Sequence, residues 1–260
     1  MSNPVFFSAA GTLDHMVPGA QFVLQGPEAR HAVAVKRLAP GESVDIADGA
    51  GKRLTGTVVA ASPSELTVEC SALTAEEKPD IRLVLVQALA KGDRDELAVE
   101  TATELGIDAV IPWQSERSIV RWKGERAAKA HAKWQSVATA AAKQARRAWI
   151  PEVRAAVETP GLAAAAGAAD LAIILHEDAV RPFRSVLESW HATADGSGPR
   201  EILLIVGPEG GISPREVTRL CSAGAVTALL GHHVLRSSTA GPAAVVLASD
   251  VLGRWAAPAG

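Results

Sequence analysis

Residues 202–216 read Ile-Leu-Leu-Ile-Val-Gly-Pro-Glu-Gly-Gly-Ile-Ser-Pro-Arg-Glu, and this short stretch holds a strand, a turn and a helix start. Ile202–Val206 is wholly apolar, as a strand covered on both faces must be. Ser213-Pro-Arg-Glu216 has the form of a capping box, with Ser213 as N-cap, Pro214 in the first turn and Glu216 reaching back. Between them, three glycines in five residues exceed what a strand-to-helix turn needs and let the backbone approach a ligand closely. The loop lacks the Lys-Ser/Thr of a nucleotide-triphosphate loop and the spacing of the dinucleotide fingerprint. A strand of this type predicts an open parallel sheet, whose ligands bind beyond the carboxyl ends of the strands.

The neighbouring sequence repeats the rhythm. Ile81–Leu89, Ala109–Pro112, Leu171–His176 and Val226–Leu230 are further strand candidates, alternating with helical patterns. Asp93 is placed to cap a helix that runs to Leu105 and ends at Gly106, and Lys123–Arg147 reads as one long helix. Such alternation predicts an α/β domain with helices over a parallel sheet. Two more loops at strand carboxyl ends stand out. One is His176-Glu-Asp178; the other is Gly231-His-His-Val-Leu-Arg-Ser-Ser-Thr-Ala240, leading into a helix that Thr239 could cap. His232 and His233 lack spaced partner ligands, so no metal is expected.

The first 73 residues differ. Gln21–Leu24, Ser43–Ala47, Leu54–Ala60 and Leu66–Cys70 read as short strands, separated by Pro40-Gly41, Asp48-Gly49 and Ser62-Pro63. Strands at this spacing predict a small β-barrel. One helix interrupts it, from Pro27 to Leu38. The polar segment Thr74–Pro79 is the linker, giving domains of 1–73 and 74–260.

The chain has 260 residues, 48% of them hydrophobic, and a formal charge of −3. That composition excludes a disordered chain. No run of 18 apolar residues is free of charge, and the first residues show no signal-peptide pattern, so a cytoplasmic protein is expected. Cys70 and Cys221 are read as small buried hydrophobes. Charge is unevenly spread: residues 117–154 carry ten Lys and Arg against Glu125 and Glu152, a local +8. Such a segment points to a polyanionic partner of the nucleic-acid kind. Trp122, Trp134 and Trp149 among those cations suit base stacking, although a solvated helix face paired with the protein's own acids is the plainer alternative.

Several segments together resemble one family. His31…Val35-Lys-Arg-Leu38…Pro40-Gly41, Thr103-Glu-Leu-Gly106 with Pro112 and Glu116-Arg-Ser118, Ala141-Ala-Lys-Gln-Ala-Arg-Arg147 with Pro151, Gly207–Gly211, and Gly231…Val234-Leu-Arg236…Thr239-Ala240 occur in its order. The chain resembles, over nearly its whole length, the 16S ribosomal RNA uridine-N3 methyltransferases of the SPOUT superfamily. The resemblance implies a PUA-like barrel, a SPOUT domain with a C-terminal trefoil knot, S-adenosylmethionine as cofactor, and a homodimer acting on the small ribosomal subunit. It places the cofactor on Leu175, His176, Gly207, Glu209, Gly211, Ile212, Leu230, Gly231, Leu235, Arg236 and Ala240. Arg236 is read as stabilising negative charge on a uracil oxygen; Glu209 is read either as the proton acceptor or as a group whose hydrogen bonds shape its own loop. Arg30, Arg37, Arg117, Lys143, Gln144, Arg146 and Arg147 are the expected RNA contacts. Ser238 stands where the family often has Glu. Two other classes stay open: a SPOUT enzyme acting on transfer RNA or a ribose hydroxyl, and a non-catalytic RNA-binding factor of ribosome assembly.

Overall fold

A computed structural model of the chain describes residues 3–193 and 198–256. The chain divides into two units, residues 1–78 with 142–150, and residues 79–141 with 151–260.

The first unit contains β1 (Val5–Phe7), β2 (Gln21–Gln25), α1 (Gly26–Arg30), a π-helical turn (His31–Val35), β3 (Ser43–Ala47), β4 (Lys52–Ala61) and β5 (Glu65–Ala75). They form a five-stranded sheet in the order β1-β3-β4-β5-β2. It is antiparallel except where β1 pairs with β3. Phe6, Leu13, Ile46, Leu54 and Leu66 fill its core. The strand β1 escaped the sequence reading for a physical reason. Phe6 packs into that core while Val5 and Phe7 pack with Ala47, Ala142 and Ile150, so no polar residue marks an alternation.

Three further expectations need correction. The helix begins with Pro27 in its first turn but does not run regularly to Leu38. After Arg30 the hydrogen bonding widens, with Lys36 N–H donating to His31 O at 3.0 Å, and Arg37 leaves in a left-handed conformation at φ 57°. The linker starts later, because β5 runs to Ala75. Residues 142–150 also complete this unit: Trp149 Nε1 donates to Glu76 O at 2.8 Å, and Lys143 Nζ bonds both Glu28 oxygens at 3.0 and 2.7 Å.

The second unit contains β6 (Ile81–Ala88), α2 (Arg94–Glu104), β7 (Ala109–Gln114), α3 (Glu125–Gln144, whose end belongs to the first unit), β8 (Glu152–Val153), β9 (Val157–Glu158) and α4 (Thr159–Ala168). It continues with β10 (Leu171–Leu175), α5 (Phe183–Thr193), β11 (Arg200–Val206), α6 (Pro214–Ser222), β12 (Val226–Ala228) and α7 (Ser237–Val251). The strand order is β12-β10-β11-β6-β7-β8, with β9 also on β7, and every pairing is parallel. Alternate residues face opposite layers. Leu83, Leu85, Ile202 and Leu204 pack with Val99, Trp134, Leu187 and Val245 from α2, α3, α5 and α7. Val84, Val86, Leu203 and Ile205 pack with Leu162 and Leu220 from α4 and α6. Both faces are therefore covered. Among the described residues no helix is long and apolar enough to cross a membrane.

Two caps differ from the sequence reading. Asp93 makes no side-chain cap; Asp95 instead accepts from Ala90 N–H and Glu96 N–H. Thr239 lies inside α7, where its N–H bonds Arg236 O, and Arg236 holds the extended N-cap position. Cys70 is buried, but Cys221 is exposed at the end of α6.

Near the start of β11, Glu201 receives two hydrogen bonds from Arg154, at 2.8 and 2.6 Å. Arg154 holds the Glu201 carboxyl below the usual carboxylate range. A lowered acid contributes stability that is present above its unfolded-state value and lost as the pH falls through the folded one. Arg154→Met should therefore cost roughly 1.5–3 kcal/mol near neutral pH. Urea unfolding of both proteins should show that difference shrinking in acid, as Glu201 becomes protonated.

Candidate functional site

Four loops at the carboxyl ends of parallel strands, together with Arg94 at the start of α2, line one cleft of about 1160 Å³ in the second unit. The loop after β11 is central. Gly211 N–H closes a turn onto Pro208 O at 2.9 Å, and Gly211 has φ 71°, a conformation costly for any side-chain-bearing residue. A Cβ on Gly207 would lie 2.6 Å from Ile212 Cγ1, so Ile212 can fold back over the loop only because residue 207 is glycine. The capping box then forms as the sequence predicts. Ser213 Oγ accepts from Glu216 N–H at 3.2 Å, and Glu216 accepts from Ser213 N–H at 3.1 Å.

The structure gathers all eleven cofactor candidates around this cleft. Leu175 and His176 come from the loop after β10; Gly207, Glu209, Gly211 and Ile212 from the loop after β11. Leu230, Gly231, Leu235, Arg236 and Ala240 come from the segment between β12 and α7. His176 Nδ1 accepts from Asp178 N–H at 3.2 Å, so in the neutral ring the proton sits on Nε2. Glu209 Oε1 accepts from Lys91 N–H at 3.1 Å and Arg94 Nη1 at 3.0 Å. That pair ties the glycine loop to the loop after β6. Arg117, after β7, donates from Nη1 to Gly210 O at 2.9 Å.

Arg94 is a lining residue that the sequence reading missed, although its place just beyond β6 obeys the same strand-end rule. The cleft combines apolar walls (Leu175, Ile212, Leu230, Leu235), carboxylates (Glu177, Asp178, Glu209) and the buried Ser237 hydroxyl, which has no partner among the described residues. This mixture fits a ligand with an apolar ring, a cationic centre and hydrogen-bonding groups.

Over residues 76–249 the chain matches the family model of an RNA methyltransferase domain, and over 24–69 that of an RNA methyltransferase PUA domain. It is 40% identical to the ribosomal RNA small subunit methyltransferase E of Mycobacterium bovis, over 93% of this chain and 90% of that protein. The chain belongs to the ribosomal RNA small subunit methyltransferase E family. Among solved structures it is similar to the family member from Neisseria gonorrhoeae bound to S-adenosylmethionine. The TM-score is 0.79 at 26% identity, over 96% of this chain and 98% of that one. It is also similar to a methyltransferase from Legionella pneumophila with bound S-adenosylmethionine, with TM-score 0.81 at 25% identity and the same coverage.

The residues proposed to meet RNA in this family member divide between the units. Arg117 lies at the cleft, while Arg30, Arg37, Lys143, Gln144, Arg146 and Arg147 belong to the first unit. Arg30, Arg37, Gln144 and Arg146 are exposed. Lys143 is occupied internally: besides Glu28, its Nζ lies 3.2 Å from His31 Nδ1 and 4.7 Å from the Phe6 ring centroid. Part of the basic segment therefore serves the fold, with Lys133 paired to Glu96 and Arg154 to Glu201. The tryptophans also serve packing. Trp134 is 2% exposed and meets Trp122 edge-on at 5.3 Å, and Trp149 packs on Gly51. An amphipathic helix must bury one face, and on α3 that face carries Trp134 and Ala138.

Gly211→Val tests the glycine loop. A β-branched residue at φ 71° forces the turn to rearrange, so calorimetric affinity for S-adenosylmethionine should fall at least about tenfold while the circular dichroism spectrum is retained.

Proposed function

We propose that the chain transfers a methyl group from S-adenosylmethionine to N3 of a uridine in 16S ribosomal RNA. The coarser statement, an S-adenosylmethionine-dependent methyltransferase of small-subunit ribosomal RNA, follows from its family. The observation that carries the reading is the convergence of the glycine loop, the loop after β10 and the segment before α7 on one cleft. When bound there, S-adenosylmethionine supplies an electrophilic methyl carbon on a positively charged sulfur.

The chain's own residues have three tasks. The backbone of 207–212 and 230–235, with Leu175, His176 and Ala240, holds the cofactor. Uridine N3 carries a proton, so the site must capture the deprotonated base. Arg236, exposed at the N-cap of α7, stabilises negative charge on a uracil oxygen. Glu209 takes the proton: it is anchored by Lys91 N–H and Arg94, whereas the Asp178 side chain is 86% exposed and lacks comparable support. N3 lies on the pairing edge, so the base must be unpaired or flipped out. Exposed Arg30, Arg37 and Arg146 of the first unit hold RNA phosphates, and Arg117 meets RNA at the cleft. The bent cofactor, the trefoil knot and a homodimer with the RNA site across its interface belong to this reading and are supported by family membership alone.

Incubating small-subunit particles or their naked RNA with the protein and S-adenosylmethionine, then identifying the modified nucleoside by mass, tests the reaction. 3-Methyluridine is expected; a ribose-methylated nucleoside or no modification would overturn the assignment. The phosphate contacts have their own signature. Arg37→Ala combined with Arg146→Ala should flatten the slope of log K against log salt for RNA binding by up to about 1.5 and leave S-adenosylmethionine affinity unchanged.

A further inference from the structure

Glu216 is wholly buried, at 0% exposure. A capping box needs only one of its oxygens, the one that accepts from Ser213 N–H. The other oxygen accepts from two groups distant in sequence, Glu116 N–H at 2.8 Å and the Thr159 hydroxyl at 2.7 Å. Glu116 is tied a second time, since Ser213 Oγ donates to Glu116 Oε2 at 2.7 Å. Its neighbour Arg117 then reaches the Gly210 carbonyl at 2.9 Å. The loop after β7 is thus joined at three points to the loop after β11 and the first turn of α6, and Arg117 forms part of the cleft wall.

We propose that Glu216 is a positioning residue that acts through Arg117, holding its guanidinium on the cleft wall where the RNA substrate is engaged. This rests on reading the cleft as the methyl-transfer site. The physical argument is the cost of a buried carboxylate. With three donors supplied by fixed backbone and side-chain groups, any shift of the loop after β7 leaves a buried acceptor uncompensated. A solvated Glu at the same capping position would replace a lost donor with water and would tolerate the shift. A guanidinium has five N–H donors, and one goes to Gly210, so Arg117 keeps donors for an RNA oxygen while its direction is set. Glu216 thereby links cofactor-loop geometry to the residue that meets RNA.

A double-mutant cycle tests this. Glu216→Gln keeps the volume but replaces one accepting oxygen with an NH2 group that cannot take an N–H bond. Affinity for a small-subunit ribosomal RNA fragment is read by fluorescence anisotropy, and steady-state KM and kcat are measured alongside. Arg117→Ala and Glu216→Gln should each weaken RNA affinity on the order of tenfold. The effect should appear in KM for RNA and not in KM for S-adenosylmethionine. The double variant should be no weaker than the worse single variant. Losses that multiply in the double variant, or either single variant with unchanged RNA affinity, would overturn the proposal and return Glu216 to a purely structural role. Should Glu216→Gln fail to fold, Ser213→Ala, which cuts the hydroxyl link to Glu116, enters the same cycle with the same criterion. Wild-type protein that binds RNA without methylating it would defeat the proposed reaction, while the affinity cycle would still decide the coupling.

Discussion

A parallel sheet covered on both faces has only its two edges of strand ends left for polar, irregular backbone, and all its strands point the same way. In the second unit this constraint sends five connections past one end of the sheet. The chain first moves from β6 outward to β7 and β8, then returns on the other side through β10 and β12, and β11 enters between β10 and β6. The direction of travel reverses beside β11, and the glycine loop emerges from that strand. Crevices in open α/β sheets lie at such reversals. The cleft is thus a product of strand order before any particular side chain is considered.

Carboxylates divide their work between the two ends of the strands. Near the start of β11, Glu201 with Arg154 closes an ion pair that holds sheet elements together. Beyond its carboxyl end, Glu209 with Arg94 and Glu216 with Glu116 N–H hold neighbouring loops in register around the cleft. The same chemistry, a carboxylate accepting from fixed donors, serves stability in one place and the site's geometry in the other.

The sequence made the sheet legible because its strands are continuous apolar runs, and Ile81, Leu171 and Val226 each begin an observed strand. It made the cleft legible because glycines cluster at strand ends, and Gly211 does adopt a left-handed conformation. Other features left no local trace. The three residues of β1 are buried on both sides, so no alternation marks them. The widening of α1 into a π-turn at His31–Val35 has no marker in the local sequence. Burial of Glu216 could not be read from a capping box, because the same four letters describe a solvated helix end equally well. Charge counting was the least informative signal. Lys133, Lys143 and Arg154 find acids that lie 37, 115 and 47 residues away, and composition carries no record of such pairs.

The first unit is assembled from two separate pieces of chain, with residues 142–150 supplied long after the sheet itself has been laid down. Lys143 neutralises Glu28, Ile150 packs beside Val5 and Phe7, and Trp149 covers Gly51. Cut after residue 78, the sheet would lose a half-buried cation and two apolar plugs. In synthesis, the amino-terminal unit cannot be finished when it leaves the ribosome, since its closing segment follows some sixty residues later. The same arrangement means that neither unit can be exchanged between proteins as a simple cassette, because part of one is encoded inside the other.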